Sequence, residues 1–559
     1  MTIGSFDRDR SLGTLADTTF DVLVIGGGIT GAGVALDAAS RGLSVALVER
    51  DDFASGTSSK SSKLVHGGLR YLQNGDIRLV YEALRERQRL RRNAPHLVRL
   101  LPFLIPLFSK DGLINPKVAR ALGSAMWMYD LTGGARIGKL HKRLKTGQAV
   151  AHMPTLPEER LAGAYLYYDA AADDARLTLG LVRTAALDHG AVAANHTAVV
   201  ALLHDEGGKV RGATVEAATS EGPRRFDIAA RSVVNATGVW SDDVRALDEG
   251  THPDTIRPAK GIHITVPWTK VRNDIAVVVP VPKDRRSVFV VPWLPTGDGG
   301  YLLTYVGTTD TDYDGSVEDP QCTAEDVDYL LSAINLAVRE PLAFTDVVGT
   351  WAGLRPLVKA ASSGRTADLS RRHKVLTSPS GVVSVTGGKL TTYREMAEDT
   401  LHALVRQLDD LPRSARRCRT RRLRLRGAEG AGRGTSTHLA GRYGSEAAEV
   451  AALVAADPAL GEPLVAGLPY VRAEAVHAVR HEMARTVDDV LARRTRARLQ
   501  ARDASAAAAA DVAALMAAEL GWSAEETARQ VADYTALIAA ERAAPGLPET
   551  EPTVPEAHR

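Results

Sequence analysis

The chain is poor in cysteine: Cys322 and Cys418 are the only two in 559 residues. Two thiols cannot supply a four-thiolate zinc site, an iron–sulfur cluster or a disulfide framework, and their scarcity fits a reducing cytosol. No apolar run approaches the roughly 18 residues of a membrane-crossing helix. The start, Met1-Thr2-Ile3-Gly4-Ser5-Phe6-Asp7-Arg8, reads as lacking an apolar signal core. Net charge is also small: Lys+Arg 69 against Asp+Glu 67 leaves +2, a balance that does not favour a nucleic-acid binder. What remains is a chain 45% hydrophobic and 24% charged, the balance of a globular protein. Its length calls for roughly three or four structural units of about 150 residues.

Residues 1–18 are polar and aperiodic and read as a flexible arm. Strand, glycine-turn and helix patterns then run through residues 19–410 and predict one large α/β unit. Leu411–Arg426 holds eight Arg and no acid, Gly427–Gly434 is rich in Gly and Ala, and 411–434 together reads as a linker. Residues 435–542 are Ala-rich and helix-periodic, with Val476, Val479, Met483, Val487 and Val490 at helical spacing. Ser523 and Glu526 make a capping-box signature for the last helix. The prolines at 545, 548, 552 and 555 predict a disordered tail over 543–559.

The apolar run Asp21-Val22-Leu23-Val24-Ile25 enters Gly26-Gly27-Gly28-Ile29-Thr30-Gly31, a G-x-G-x-x-G that opens a helix. Gly42 breaks that helix, Leu43–Val48 reads as a second strand, and Glu49 stands at its end. Gly26 permits the tight turn, Gly28 lets backbone approach a pyrophosphate, and Gly31 lets helix and strand pack closely. The helix N-terminus can hold phosphates, and Glu49 can accept from ribose hydroxyls. A bare glycine motif is weak; with both strands, the helix and the terminal acid it reads as a dinucleotide site. By itself it does not separate FAD from NAD.

Three further stretches favour a flavin. Ser55–Tyr71 is dense in hydroxyls and glycines, with Ser61, Ser62, Lys63, His66, Gly67 and Arg70 in one continuous loop. A strand leads into Ala236-Thr237-Gly238. Another, Gly381–Thr386, leads into Gly387-Gly388-Lys389-Leu390-Thr391-Thr392, where a helix capped with Glu395 is expected. A helix N-terminus aimed at a flavin pyrimidine ring would stabilise its anionic reduced form.

With these blocks in view, the sequence resembles the FAD-dependent glycerol-3-phosphate dehydrogenases, within the wider glycine- and D-amino-acid-oxidase-like flavoproteins. The resemblance is carried by Gly26–Gly31 with Glu49, Ser61–Leu72, Ala236-Thr237-Gly238 and Lys260-Gly261-Ile262-His263. Gly307–Asp310, Ala352–Leu357, Thr386–Arg394, Glu482-Met483-Ala484 and Asp488–Arg496 complete it. It implies an α/β fold: a Rossmann-like FAD-binding domain with an interleaved antiparallel-sheet substrate domain across 19–410, plus a C-terminal helical domain. It implies non-covalent FAD, held by the Gly26, Gly28, Gly31, Glu49, Ser61, Ser62, Lys63, His66, Gly67, Ala236, Thr237, Gly238, Gly387, Gly388, Lys389, Leu390 and Thr391 positions, and no metal.

The implied reaction is oxidation of sn-glycerol 3-phosphate to dihydroxyacetone phosphate by hydride transfer from C2 to flavin N5. Arg355, forced into extended backbone by Pro356, Lys389 in the Gly-Gly turn and Arg70 form the expected anion site. Tyr71, Thr308 and Asp310 are second-line substrate residues. His263 is the expected base: on a strand Ile262, Ile264 and Val266 share one face, and His263 with Thr265 takes the other. His66 is the rival base.

The resemblance further implies a cytoplasmic enzyme, peripheral on the inner face of the cell membrane, passing electrons to membrane quinone and assembling as a homo-oligomer. The 76–92 helix, with Ile77, Val80, Tyr81 and Leu84 beside Arg85, Arg87, Arg89, Arg91 and Arg92, is its candidate contact with anionic lipid. An ordinary core stripe is the competing reading. Alternatives for the whole chain are an oxidase releasing peroxide, an amino-acid oxidase, or a non-enzymatic protein with a flavoprotein shell.

Overall fold

The computed structural model describes residues 6–68, 77–108, 123, 126–130, 139–281, 286–359, 373–430 and 436–551. The chain runs through helix α1 (Arg8–Asp17), strand β1 (Val22–Ile25), α2 (Ile29–Ser40), β2 (Val45–Val48), α3 (Ile77–Asn93), α4 (Asp174–His189), β3 (Val192–Ala194), β4 (Val233–Asn235) and β5 (Ile256–Pro267). It continues through β6 (Tyr301–Gly307), α5 (Ala324–Ile334), β7 (Gly349–Val358), β8 (Lys374–Thr377), β9 (Val383–Thr386), α6 (Tyr393–Leu404) and α7 (Arg472–Glu482), with further strands and helices between and after them.

Val22-Leu23-Val24-Ile25 is buried throughout, as an apolar run with no alternation must be. It lies parallel between β2 and β4 in a six-stranded sheet ordered β8-β9-β4-β1-β2-β3. A parallel sheet needs cover on both faces. Here α2, α4 and α6 supply one side with Ala, Leu and Val. The other side packs on α1 and a three-stranded meander within 197–229.

A second, ten-stranded and mostly antiparallel sheet carries the substrate side. β5 pairs antiparallel with β6 and with β7. Ile262, Ile264 and Val266 are buried against Val327, Leu330 and Ile334 of α5, so the expected alternation holds and His263 turns to the opposite face. The C-terminal part is helical, with its own core around Tyr470, Val487, Val490, Met516, Tyr534 and Ile538.

Three segments are more ordered than their sequences imply. The arm contains α1: Asp7 caps it, Leu12 and Leu15 are buried, and the Arg8 guanidinium donates to the carbonyls of Asn195 (2.8 Å) and His196 (2.9 Å). Two leucines three apart are too brief a pattern to reveal a helix whose stability comes from the sheet beneath it. The basic stretch is a packed strap rather than a linker over its described part, anchored by buried Ala415 and Leu425 and by Asn93 donating to the Thr420 carbonyl. The tail stays packed through Thr550: Leu547 is buried, Pro548 accepts from Arg502, and Thr550 donates to Asp503.

The basic helix α3 also departs from the lipid-contact reading. Val80 and Leu84 are core residues, and Arg87 is fully buried against Asp169. Arg85 pairs with Glu395, and Arg89 with Glu86. Glu395 is therefore not a helix cap; its carboxylate is drawn off by a neighbouring cation.

Leu15 has no exposed surface, so Leu15→Ala should cost about 2–5 kcal/mol locally. A lowered melting temperature and faster proteolytic removal of α1 are expected; unchanged values would return residues 8–17 to a loose arm.

Candidate active site

The turn after β1 is built on close approach. A side chain at Gly31 would put its Cβ 1.9 Å from the Gly26 carbonyl oxygen, and one at Gly26 (φ +105°) would meet the Ala236 carbonyl at 2.8 Å. Gly26, Gly31 and Ala236-Thr237-Gly238 are thereby brought together, as expected. At Gly28 the nearest neighbour is the Ser58 hydroxyl, which accepts from Ile29 N–H at 2.8 Å, the first amide of α2. Ser58 was not among the expected residues; its place within the hydroxyl-rich loop is the signal that could have found it.

Glu49 lies at the end of β2, where its carboxylate accepts from Gly27 N–H (2.6 Å) and Asp51 N–H (2.9 Å). Burial pushes its pKa up to about 7, against the lowering effect of those two amides. The acid sits beside the glycine turn with no cation holding it, an arrangement that fits a ribose diol. The residues present therefore fit a dinucleotide.

The hydroxyl-rich loop is fixed from several directions. Asp174 at the start of α4 accepts from Ser61 N–H (3.0 Å) and the Ser61 hydroxyl (2.6 Å). The Lys63 ammonium is buried over Trp351, 3.2 Å from the Ser59 carbonyl and 3.4 Å from Asp174, and burial lowers its pKa to about 8. The polar groups of the Ser61 and Lys63 side chains are thus taken up by the scaffold. The hydroxyl of Ser62 is within 2.8 Å of His263 Nε2. His66 N–H donates to the Thr391 hydroxyl at 3.2 Å, and Gly67 N–H to Asp169 at 3.2 Å. The loop is thereby tied to the turn Gly387-Gly388-Lys389-Leu390-Thr391, in which both glycines have left-handed backbone (φ +76° and +85°) and the Lys389 ammonium is shielded from solvent.

On the facing sheet, β5 sets the substrate side. His263 is opposite Trp351 of β7 and Gly307 of β6. Its ring stacks on the Trp351 indole (4.6 Å between centroids, 7° between planes). Burial, then Lys63, then Arg355 hold its pKa well below the usual histidine value, so the imidazole is neutral near pH 7. Arg355 is opposite Ala259, and its guanidinium reaches Asp310 (3.0 Å), the Thr308 hydroxyl (3.2 Å) and the Thr309 carbonyl (3.2 Å). It lies where a Gly261 side chain would be: a Cβ there would be 2.5 Å from Arg355 Nη2. Ala259, Gly261 and His263 share a sheet face, so the cation and the imidazole look into one space. Trp351 was missed because its partnership with His263 depends on strand register. Arg70 and Tyr71 lie outside the described residues.

Residues 21–394 match the family model described as FAD dependent oxidoreductase, and 418–527 match the C-terminal domain of alpha-glycerophosphate oxidase. Glycerol-3-phosphate dehydrogenase 2 of Mycobacterium tuberculosis is 40% identical over 556 residues, covering 96% of this chain and 91% of that protein. This chain belongs to the FAD-dependent glycerol-3-phosphate dehydrogenase family. The human mitochondrial glycerol-3-phosphate dehydrogenase is 38% identical, over 92% of this chain and 72% of its own length. The crystal structure of the Bacillus halodurans glycerol-3-phosphate dehydrogenase complexed with FAD superposes with a TM-score of 0.75 at 32% identity, covering 98% of this chain and 100% of that one.

A ribose diol donates more strongly to the ionised Glu49 carboxylate than to its neutral acid, so cofactor binding should lower its pKa from about 7 and release a proton. FAD affinity should therefore rise with pH through about 7, by up to about tenfold between about pH 6 and about pH 8. Titration of the apoprotein with FAD would show this, and Glu49→Gln should bind more weakly with no such slope.

Proposed function

We propose that this chain oxidises sn-glycerol 3-phosphate at C2 to dihydroxyacetone phosphate. The observation that carries the reading is the guanidinium of Arg355 seated over Gly261, on the sheet face that also presents His263. One bidentate phosphate ligand and one neutral imidazole, about two strand residues or roughly 7 Å apart, suit the two ends of a small phosphorylated alcohol.

Arg355 holds the phosphate, Asp310 and Thr308 orient the guanidinium, and Lys389 with Arg70 adds positive charge. His263 takes the C2 hydroxyl proton at Nε2, which now faces the Ser62 hydroxyl. Non-covalent FAD, bound along Gly26–Gly31 and Glu49, supplies the hydride acceptor. Cations around the reacting carbon stabilise the alkoxide that develops as the hydride leaves.

Losing a hydrogen bond to a charged group costs about 1.5–3 kcal/mol, or roughly 10–150-fold in kcat/KM. Arg355→Ala should lose at least that much with glycerol 3-phosphate while retaining FAD. In the wild type, anaerobic glycerol 3-phosphate should bleach the bound flavin, whereas glycerol should do so poorly. A flavin unmoved by the substrate would refute the assignment.

The electrons pass to membrane quinone, and the enzyme works as a peripheral protein on the inner face of the cell membrane. Support comes from exposed Tyr81, Trp127, Met128 and Leu140, and from exposed Arg413, Arg416, Arg417, Arg419, Arg422 and Arg424 along the strap. Among the described residues no helix is long and apolar enough to cross a membrane. The protein should sediment with anionic vesicles, leave them at high salt, and reduce a quinone analogue far faster than oxygen. Peroxide formed at the full turnover rate would make it an oxidase.

A further inference from the structure

We infer that Arg493, Arg494 and Arg496 of the C-terminal helical part are positioning residues for the cofactor, holding from outside the two stretches of chain that line the FAD site. The inference rests on the FAD reading above. These arginines lie on and just after a single π-helical turn, Asp489–Arg494, a rare wide turn that is frequent at functional sites. They make two separate branches into the oxidoreductase domain.

The first branch ends on Asp52. Arg493 Nε donates to its carboxylate at 2.6 Å, and Arg494 grips both oxygens at 2.5 and 2.7 Å, with Asn195 adding a fourth contact. Asp52 is three residues past Glu49, and its neighbours are the floor of the glycine turn. Ala54 N–H donates to the Gly27 carbonyl at 3.1 Å, and the Phe53 ring is what a Gly27 side chain would strike. Asp52, His196 and Asp489 come close enough together to suggest a metal site, but the two guanidiniums already supply the positive charge there.

The second branch runs through Asp174. Arg496 donates to the Ser59 carbonyl and to Asp174 at 3.0 Å. Asp174 in turn holds Ser61, next to the Ser62 that touches His263. Packing does part of this job, since Phe53 and Ala54 are buried, but it does not enclose the whole loop. A cavity of about 390 Å³ lies against the same loop, bounded by Ser55, Thr57, Lys60, Trp351, Arg493 and Arg498. Nor is stability a sufficient reason, since hydrophobic groups of similar volume commonly replace buried ion pairs at no loss. What a planar fork on a carboxylate adds is orientation.

The branches predict different defects. Arg494→Lys keeps the charge but loses the fork; it should raise the FAD dissociation constant about tenfold while leaving kcat at saturating FAD within about twofold of wild type. Arg496→Lys should instead lower kcat at saturating FAD about tenfold, because its branch ends at His263. In FAD-free protein, hydrogen exchange of the 52–62 amides should accelerate in both variants. Arg480→Ala, which breaks an exposed pair with Glu519 within the helical part, should change none of these. Variants that melt earlier yet keep wild-type FAD affinity, kcat and loop exchange would make the arginines mere scaffolding and overturn the inference. Equal losses in Arg480→Ala would do the same. A wild-type chain that binds no FAD would instead sink the cofactor reading, and the inference with it.

Discussion

The register of one strand constrains everything on the substrate side. β5 pairs with β6 and β7, so placing His263 opposite Trp351 also places Ala259 opposite Arg355 and Gly261 opposite Gly353. A slip of one residue would turn His263 into the apolar layer under α5 and expose Ile262 and Ile264. That apolar layer is what locks the register. The glycines finish the design. Gly261 leaves room for the Arg355 guanidinium, Gly307 for the His263 ring, and Gly353 for the Lys60 carbonyl of the flavin-side loop. Glycine in a strand costs about 0.5–1 kcal/mol relative to alanine, but here any Cβ would collide. The close approach of these groups is therefore made possible by leaving out side chains.

Arginine is abundant in this chain, and the structure separates its uses by environment. Arg41, Arg87, Arg494, Arg496 and Arg502 are fully buried, and each faces a carboxylate: Asp37, Asp169, Asp52, Asp174 and Asp503 respectively. Taking such ions out of water costs several kcal/mol each, so each is buried together with a counter-charge. Arg355 differs. Its side chain is 26% exposed, with Asp310, the Thr308 hydroxyl and the Thr309 carbonyl among its contacts, so it stays in reach of solvent where the five buried arginines do not.

The parts legible in the sequence were those whose chemistry is local. Gly26–Gly31 with Glu49 has a fixed spacing because two adjacent strands, the turn and the helix between them form one continuous unit. The two faces of β5 follow from strict alternation, and the Gly387-Gly388 turn from its dipeptide. The parts that escaped depend on distant partners. Helix α1 has too few apolar residues to declare itself, and it is held by carbonyls at 195 and 196. Helix α3 reads from sequence as either a core stripe or a lipid contact, because sequence cannot show that Arg87 has a buried acid 82 residues away. Lys63 and Ser61 were placed in the cofactor site by their motif, while their polar groups serve Asp174. A motif marks which backbone lies near a ligand more reliably than which side chains touch it.

The depressed basicity of His263 sits oddly with a proton acceptor only if the imidazole is asked to act alone. Burial removes water from around it, and Lys63 and Arg355 oppose a second positive charge. Those same cations lower the energy of an alkoxide formed in the space beside them. A stronger base would be protonated at rest and useless; in the proposed reaction this one would stay neutral and accept a proton once the substrate's own negative charge offset the cations. In the proposed reaction the substrate phosphate would add to that offset by binding Arg355, so the group that anchors the molecule would also raise the basicity of the imidazole that deprotonates it. On that reading anchoring and activation are electrostatically one event, and a guanidinium and an imidazole on a single strand face suit it.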